Sequence, residues 1–385
     1  MSESKKHADI VFITDNSMKI EGGEKESLTI LLNGVSRKYK LAVIQPGSHD
    51  ESLSNVPFYH ETKYERTKYL IRHPFAFLSY IFKVGRRIRE IAPRVIHSNS
   101  QVSFFMVMLL CRLRRIPRDI VFIHTDRGLY TKYNGFFRWL FQFSFKYLDV
   151  LVTTTEFNRR RWEEANRKKG IRLQYKVIGN TAGEIYETID EARLPNNDYL
   201  TIGFAGRMCD WKDWPLAERI CEETDRNDPT AHYVMYVVCI DPADEAETKA
   251  MFERMASKYG DRFRGRINVP FKEMEDFYYD IDVFVLTSWP YTESFGRTLA
   301  EAMSRETAVL TTDAGGAVEV VSNPATVHGA AKEFADHILL WSRDREQLAL
   351  EKKRNFRRVK EAYTLEKNIS GHLALYSEAK KIRDA

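Results

Sequence analysis

The sequence has few cysteines and no long uninterrupted apolar run. Its 4 cysteines are scattered among 385 residues, without a CxxC pair or a His at zinc-finger spacing, which predicts reduced thiols rather than disulfides or metal ligands. The longest apolar stretch, 102–111 with one serine inside it, has about half of the roughly twenty residues that a bilayer crossing needs. Because the first residues lack the apolar run of a signal peptide, a cytoplasmic location is expected.

The composition is that of a folded protein with more than one core. Hydrophobic residues make up 43% of the chain and aromatic residues 12%, which excludes a wholly disordered chain. A length of 385 residues is too great for one ordinary core and suits two domains.

Charge is distributed unevenly along the chain. Residues 1–180 contain 32 Lys and Arg against 17 Asp and Glu, whereas the remainder contains 27 against 37. The basic half concentrates its cations at 66–90, 111–118 and 158–170, which predicts contact with an anionic membrane or with a phosphate-bearing substrate. Solvated helix faces are the plainer alternative for each cluster. A nucleic-acid-binding protein is a third possibility, but no binding module of that kind is recognisable.

Short Val/Ile-rich runs alternate with amphipathic stretches in both halves. In the first half, strands are predicted at 9–14, 40–46, 94–98, 119–124, 149–155 and 175–180, and helices at 26–37, 75–91, 102–114 and 136–147. In the second half, strands are predicted at 198–206, 232–240, 262–268, 282–288 and 307–313, and helices at 216–224, 246–259, 272–279 and 296–304. The tail from residue 344 is highly charged and helical in pattern.

Repeated strand–helix–strand order predicts parallel sheets with helices on both faces. Because the pattern restarts, we expect two tandem doubly wound α/β domains of Rossmann-like architecture, joined within the polar segment 183–198. Ligands of such sheets bind beyond the carboxyl ends of the strands, so functional residues are expected there.

Two segments after strands of the second half carry candidate binding residues. Arg207 and Lys212 follow the run 198–206, where two cations can neutralise a diphosphate, although they also fit an ordinary surface turn. Glu293 lies in a loop and Glu301 about two turns inside the next helix, too far apart for a tight catalytic pair. Their spacing suits two carboxylates that each bind hydroxyls at a different end of one extended ligand. Gly296 would let a phosphate approach the start of that helix.

The segment 293–301, Glu-Ser-Phe-Gly-Arg-Thr-Leu-Ala-Glu, resembles the E-x7-E signature of retaining nucleotide-sugar glycosyltransferases of GT-B fold, most closely family 4. Arg207 with Lys212 is similar to the diphosphate-binding pair of that family. The sequence departs from the family after the helix of the second Glu, where Glu306 and Ala308 stand in place of the usual Gly and Pro. The geometry of that turn is therefore open.

The resemblance implies a role for each matching residue. Arg207 and Lys212 would hold the donor pyrophosphate, Glu293 would bind hydroxyls of the sugar, and Glu301 would bind the ribose. His124, after a strand, would lie near the sugar and the acceptor, although on spacing alone it also fits a satisfied strand residue. The implied catalytic residues are His124, Arg207, Lys212 and Glu293. The implied donor-binding residues are Gly22, Gly23, Arg207, Lys212, Arg266, Ile267, Glu293, Ser294, Phe295, Gly296, Arg297 and Glu301. Neither a cofactor nor a metal ion is expected.

The fold class implied is GT-B, with two Rossmann-like domains and a cleft between them. The acceptor domain would span 1–182, the nucleotide-sugar domain 183–365, and a C-terminal helix, 366–385, would cross back to the first domain. Gly22 and Gly23 would close over the phosphates when nucleotide binds.

The reaction implied by the resemblance is retaining transfer of a hexosyl unit from a nucleotide sugar, most often a UDP-sugar. The acceptor would be a lipid-linked glycan or a polysaccharide in cell-surface glycan synthesis, such as lipopolysaccharide or capsule. The basic first half would then contact an anionic membrane at its cytoplasmic face. A UDP-sugar epimerase of the same fold is the alternative enzyme, and a catalytically inactive relative is a further one.

Overall fold

The computed structural model describes residues 7–20, 23–47 and 56–382, and the chain divides into two compact units. The first unit consists of the chain up to Gly179 together with the segment from Leu365 onward, and the second runs from Asn180 to Thr364. This division precedes the sequence-predicted boundary after residue 182, because the next residues are bonded within the second unit. The carbonyl of Ala182 accepts a hydrogen bond from Arg297 at 3.1 Å.

One parallel sheet forms the centre of the first unit. Its strands are β1 Ile10–Ile13, β2 Leu41–Gln45, β3 Phe58–His60, β4 Val95–Ser98, β5 Val121–Asp126, β6 Val150–Thr153 and β7 Gln174–Val177. They are arranged in the order β3-β2-β1-β4-β5-β6-β7. Ile10 and Phe12 pack on one face of the sheet, and Val11 and Ile13 pack on the other. Burial on both faces explains the near-continuous apolar strands and confirms the predicted doubly wound sheet.

Six helices and the last helix of the described chain belong to this unit. They are α1 Gly23–Val35, α2 Thr67–Leu70, α3 Pro74–Ile91, α4 Gln101–Arg112, α5 Gly135–Ser144, α6 Glu156–Arg167 and α14 Leu365–Ile382. Helix α14 packs beside α1, where Leu375 and Tyr376 share a core with Leu28. A Cβ at Gly34 of α1 would lie 2.5 Å from Ile369, so only glycine permits this close approach.

The second unit repeats the same architecture with five parallel strands. They are β8 Thr201–Arg207, β9 His232–Val238, β10 Phe263–Ile267, β11 Val283–Leu286 and β12 Ala308–Thr311, in the order β10-β9-β8-β11-β12. The helices are α7 Trp214–Asp225, α8 Pro242–Tyr259, α9 Met274–Tyr279, α10 Arg297–Met303, α11 Gly316–Val321, α12 Ala331–Arg343 and α13 Arg345–Ala362. Residues of β9 alternate between two cores, with Met235 on one face and Val234 on the other. The prediction of a second doubly wound sheet is confirmed.

Candidate functional site

The carboxyl ends of β8 and β11 are adjacent in the second sheet, and each leads into a polar segment. Arg207 is the last residue of β8, and Lys212 ends the short 3-10 turn Asp210–Lys212 that follows it. Helix α7 begins directly afterwards, capped by the side chain of Asp213, which accepts from the backbone N–H of Leu216 at 3.1 Å. This local order places both predicted cations at the edge where open parallel sheets bind ligands.

Lys212 and Glu293 form an ion pair at this edge. Lys212 Nζ lies 2.7 Å from Glu293 Oε1, and the hydroxyl of Ser288 donates to the same oxygen at 2.8 Å. Each charged side chain is 16% exposed, so the pair is shielded from water without being sealed off. The carbonyl of Lys212 also accepts from the hydroxyl of Thr287 at 2.6 Å, which fixes the turn against the end of β11. The structure therefore brings the predicted cation and the predicted carboxylate together.

The guanidinium of Arg207 is the unneutralised charge of the group. Arg207 is exposed, and its side chain forms no ion pair with any residue in the described ranges. Its backbone is nevertheless fixed, because its carbonyl accepts a hydrogen bond from the indole N–H of Trp214 at 3.0 Å. A fixed backbone with an available guanidinium suits bidentate binding of a phosphate.

Backbone hydrogen bonds and close backbone contacts determine the conformation of the segment from Glu293 to Gly296. The N–H of Glu293 donates to the carbonyl of Ala314 at 2.9 Å, and its carbonyl accepts from the N–H of Gly316 at the same distance. A Cβ at Gly316 would lie 2.0 Å from the carbonyl oxygen of Ser294, so a glycine is required there. Gly296 has a φ of 81° and is the N-cap residue of α10, and its carbonyl accepts from the N–H of Leu299 at 3.0 Å. Phe295 is buried against Tyr363 and anchors this loop.

Glu301 is buried on the second turn of α10. Its Oε1 lies 2.9 Å from Arg297 Nε, and its Oε2 accepts a hydrogen bond from the hydroxyl of Tyr278 at 2.8 Å. Burial, together with the charge of Glu301, raises the pKa of the Tyr278 hydroxyl well above its ordinary value. Tyr278 therefore remains a donor at neutral pH. These two donors fix the orientation of the Glu301 carboxylate.

The turn after α10 has Glu306 at the position where the resemblance implies a glycine. Glu306 adopts a φ of 49°, in the left-handed region, and the N–H of Thr307 donates back to the carbonyl of Ala302 at 3.2 Å. A non-glycine residue in this region costs about 1–2 kcal/mol. Ala308 then begins β12 as a buried strand residue.

Arg266 and Ile267 lie on a different strand from the ion pair. They end β10, which is separated from β8 by β9. The side chain of Arg266 is turned toward Glu273, with Nη2 and Oε2 3.0 Å apart, and lies over the ring of Tyr236. Any contact of this segment with a ligand base would therefore use its backbone.

The sequence-predicted residues of the first unit lie at two places. Gly22 lies outside the described residues, and Gly23 is the exposed first residue of α1. His124 lies within β5 rather than after it, because the strand continues to Asp126. The prediction of His124 as a strand-end residue was wrong: Ile123, His124 and Thr125 all pair in register with β6 or β4.

His124 is buried among aromatic rings. Its ring centroid lies 4.6 Å from that of Phe104, and its Nδ1 lies 2.9 Å from the hydroxyl oxygen of Ser98. Its Nε2 is buried and has no partner among the described residues. Burial lowers the pKa of His124 to about 4, so the imidazole is neutral at pH 7.

Asp15 is a candidate site residue that the sequence predictions omitted. It follows β1, and its carboxylate accepts hydrogen bonds from the backbone N–H groups of Val102 at 2.8 Å and Ser103 at 2.7 Å, at the start of α4. Burial and, to a lesser extent, the charge of Glu24 raise the pKa of Asp15 to about 7, against the lowering effect of those hydrogen bonds. Its position directly after an apolar strand was the signal that could have identified it.

Asn99 is a second omitted residue, at the carboxyl end of β4. It is buried, and neither atom of its side-chain amide has a hydrogen-bond partner among the described residues. The neighbouring Ser100 donates to the carboxylate of Glu24, which also accepts from Asn16. Burying an unpaired amide is costly, which makes Asn99 a candidate for contact with a polar ligand.

The described residues contain neither a metal-binding cluster nor a membrane-spanning helix. Across 7–20, 23–47 and 56–382, no cluster of three or more His, Cys, Asp or Glu side chains has the arrangement of a metal site. No helix within those ranges combines the length and the apolar composition that crossing a bilayer requires.

Two family models match the chain, one in each half. The model for Glycosyltransferase Family 4 matches residues 22–175, and the model for Glycosyl transferases group 1 matches residues 199–344. Together they cover more than three quarters of the chain. No curated protein sequence matches it.

Solved structures resemble the chain over nearly its whole length. A glycosyltransferase from Rickettsia africae has a TM-score of 0.75 at 18% identity, covering 97% of this chain and 98% of its own. HepE from Anabaena, in complex with UDP and glucose, has a TM-score of 0.73 at 16% identity, covering 96% and 100%. Sucrose-phosphate synthase from Thermosynechococcus elongatus has a TM-score of 0.75 at 16% identity, covering 96% and 98%.

The two parallel sheets, the polar edge of the second one and these matches define a glycosyltransferase with two α/β domains. The chain belongs to the glycosyltransferases of GT-B fold, with a family 4 domain in its first half and a group 1 domain in its second.

Proposed function

We propose that this glycosyltransferase takes its sugar from a UDP-sugar and binds that donor at the carboxyl edge of the second sheet. The observation that carries the proposal is the Lys212–Glu293 pair, 2.7 Å long, beside the unpaired guanidinium of Arg207. A diphosphate needs two cations, and a sugar hydroxyl needs a fixed acceptor. The choice of UDP is supported by HepE, whose structures hold UDP with glucose and UDP-glucose.

The proposed roles follow the geometry of the edge. Arg207 and Lys212 bind the diphosphate and stabilise the negative charge that grows on it as the glycosidic bond breaks. Gly296 lets the diphosphate approach the start of α10 closely. The backbone N–H groups there, from Ser294, Phe295 and Arg297, donate to it. The remaining residues each bind one part of the donor. Glu293 accepts hydrogen bonds from the sugar hydroxyls, Glu301 accepts them from the ribose hydroxyls, and the backbone of 266–267 contacts the base.

The transfer is proposed to retain the anomeric configuration. The bond from the anomeric carbon to the diphosphate oxygen breaks, the acceptor oxygen bonds to the same face of that carbon, and the acceptor proton passes to the departing diphosphate. This route needs no protein base. It is supported by the state of His124, which is buried beside the ring of Phe104. We assign His124 to positioning the acceptor edge of the first unit.

The first unit is proposed to bind the acceptor, a lipid-linked or polysaccharide glycan in cell-surface glycan synthesis. The unpaired amide of Asn99 supports a hydroxyl-bearing ligand at its sheet edge. The surplus of 32 Lys and Arg over 17 Asp and Glu in residues 1–180 supports contact with an anionic carrier and membrane. The enzyme would then work without a metal ion at the cytoplasmic face of that membrane.

The donor site is tested by thermal unfolding with UDP, GDP or ADP and without added metal. Bound nucleotide stabilises the native state by about 2.7 kcal/mol at a hundred times its Kd. We expect a higher Tm with UDP, lost in Arg207→Ala and Glu301→Gln. Arg219→Ala, which removes an exposed cation of α7, is the matched control and should keep the rise.

An equal rise in all variants, or no rise with any nucleotide, would contradict the proposed site. Release of UDP from UDP-glucose only when a glycan acceptor is present separates transfer from epimerisation.

A further inference from the structure

Two helices of the first unit expose large apolar side chains at the same spacing. The residues lie at positions i, i+3 and i+7 of each helix: Phe75, Leu78 and Phe82 in α3, and Phe136, Trp139 and Phe143 in α5. This spacing places the three side chains of each helix on one face. Phe75 is 89% exposed and Phe136 63%. Contiguous apolar surface of this kind usually marks an interaction site.

The end of α4 and the residues that follow it connect the two apolar faces. The guanidinium of Arg115 lies 5.6 Å from the ring centroid of Phe82, on α3, and that of Arg112 lies 5.4 Å from the ring centroid of Phe143, on α5. Leu113, between these arginines, is also exposed, and Lys146 Nζ lies 4.5 Å from the ring of Phe143. The exposed rings and these cations therefore form one surface, which we call the aromatic–basic face.

The aromatic–basic face carries charge of one sign. The segments that form it, 66–89, 101–118 and 127–148, contain no Asp or Glu. Arg112, Arg115 and Lys146 form no ion pair with any residue that the structure describes, whereas Arg87, near the end of α3, is paired with Glu61 and Glu90. The cations beside the rings are thus available to an anionic partner.

We propose that the aromatic–basic face docks on an anionic lipid bilayer, with the rings of α3 and α5 in the interface and Arg112, Arg115 and Lys146 on the headgroups. Rings and aliphatic side chains on one helix face, flanked by cations, are the pattern of helices that lie in a membrane surface. The absence of acidic residues favours lipid over a protein partner, whose interface would carry both signs. The proposal rests on the proposed function only in that a lipid-linked acceptor requires membrane contact.

The test is sedimentation of the full-length protein with vesicles of phosphatidylcholine alone or mixed with phosphatidylglycerol. We expect binding to the anionic vesicles only, weakened by added salt. Phe136→Ser/Trp139→Ser removes two exposed rings from the interface, and Arg112→Glu/Arg115→Glu reverses two cations that each contribute about 1 kcal/mol near the surface. Each double variant should weaken binding by at least about tenfold. Leu350→Ser and Arg219→Glu/Lys353→Glu make matched changes to exposed residues of the second unit and should bind as the wild type does.

Failure of the wild type to bind anionic vesicles overturns the proposal, as does equal binding by the face variants or equal loss in the controls. Sedimentation equilibrium provides a separate arm: a dimer dissociated by the aromatic variant, without vesicle binding, would assign the face to self-association instead. The UDP-induced rise in Tm, measured on every variant, reports folding and the donor site independently of lipid.

Discussion

The carboxyl edges of the two sheets hold polar residues in opposite electrostatic states. In the second unit, the carboxylates are paired with cations: Glu293 with Lys212 at 2.7 Å, and Glu301 with Arg297 at 2.9 Å. In the first unit, half-buried Asp15 and buried Asn99 lie at the corresponding edge, and Asp15 forms no ion pair with any residue that the structure describes. The same architecture thus provides a charged site in one unit and a desolvated one in the other.

This difference indicates which kind of ligand each edge can bind. The paired carboxylates and cations of the second unit can exchange partners with a diphosphate and with sugar hydroxyls. In the first unit, burial moves Asp15 and His124 toward their neutral forms, because it raises the pKa of Asp15 to about 7 and lowers that of His124 to about 4. Neutral donors and acceptors suit a hydroxyl-bearing ligand, which supports the proposed division between donor and acceptor.

The largest effect is expected from removing the cation of the paired edge. Lys212→Met should lower the rate of sugar transfer from UDP-glucose by about 10²–10³-fold, because one fixed charge at the leaving diphosphate is lost. The measurement is the steady-state rate at saturating donor, with the Tm of the variant as a check on folding.

A matched control lies at the amino end of β11, opposite the carboxyl end that leads to Glu293. Lys352 Nζ pairs with Asp282 Oδ1 at 2.7 Å, just before β11 begins, with a similarly buried cation. Lys352→Met should reduce stability and leave the transfer rate of the folded enzyme within about twofold, since it is remote from the ligand edge. Equal losses of rate in both variants would mean that Lys212 acts only through the fold.

The next effect concerns the desolvated edge. The folded-state pKa of Asp15, about 7, lies above its ordinary value of 3.8. The stability that Asp15 contributes is therefore fully present below that ordinary value and is lost as the pH rises to about 7. From about pH 5 to about pH 8 this loss amounts to about 2–3 kcal/mol. In Asp15→Asn, the free energy of unfolding by urea should fall by that much less over the same range.

Glu24→Gln separates the two causes of the shift. Removing the negative charge of Glu24 should flatten the pH dependence only in part, because burial is the larger cause. If Glu24→Gln flattens it as much as Asp15→Asn does, the edge is governed by charge repulsion and the contrast with the second unit is weaker.

The positions of the candidate residues at the edge of the second sheet could be predicted from sequence because the elements there are local. Glu293 lies in a loop and Glu301 in the short helix after it, while Arg207 ends β8 and Lys212 follows it, so spacing along the chain predicts where they lie. Most strands were predicted for the same reason, since parallel strands buried on both faces are short apolar runs. The left-handed turn at Glu306 could not be predicted, because a glutamate occupies it and no glycine marks the position in the sequence.

The contacts at the edge of the first sheet could not be predicted, because they join residues far apart in sequence. Asp15 binds the N–H of Val102, 87 residues away, and Ser100 donates to Glu24, 76 residues away. Helix α6 was missed for a related reason: the buried residues of this charged segment include Trp162 and two asparagines, Asn158 and Asn166, so it has no apolar periodicity. The buried amide of Asn158 donates a hydrogen bond to Asp126 on β5, and the sequence alone does not reveal this partner.

The smallest effect tests whether buried polar groups of the first unit depend on their partners. The hydroxyl of Tyr376, on α14, lies 2.7 Å from Nδ1 of His97, on β4. Tyr376→Phe leaves that nitrogen unpaired in a buried site and should lower the free energy of unfolding by about 1–2 kcal/mol. Tyr80 is equally buried, but its hydroxyl has no partner among the described residues, so Tyr80→Phe should be neutral or slightly stabilising. Urea unfolding of both variants measures the difference. Equal losses would show that removal of a buried hydroxyl costs the same with or without a partner, and that the bond of Tyr376 to His97 adds no stability of its own.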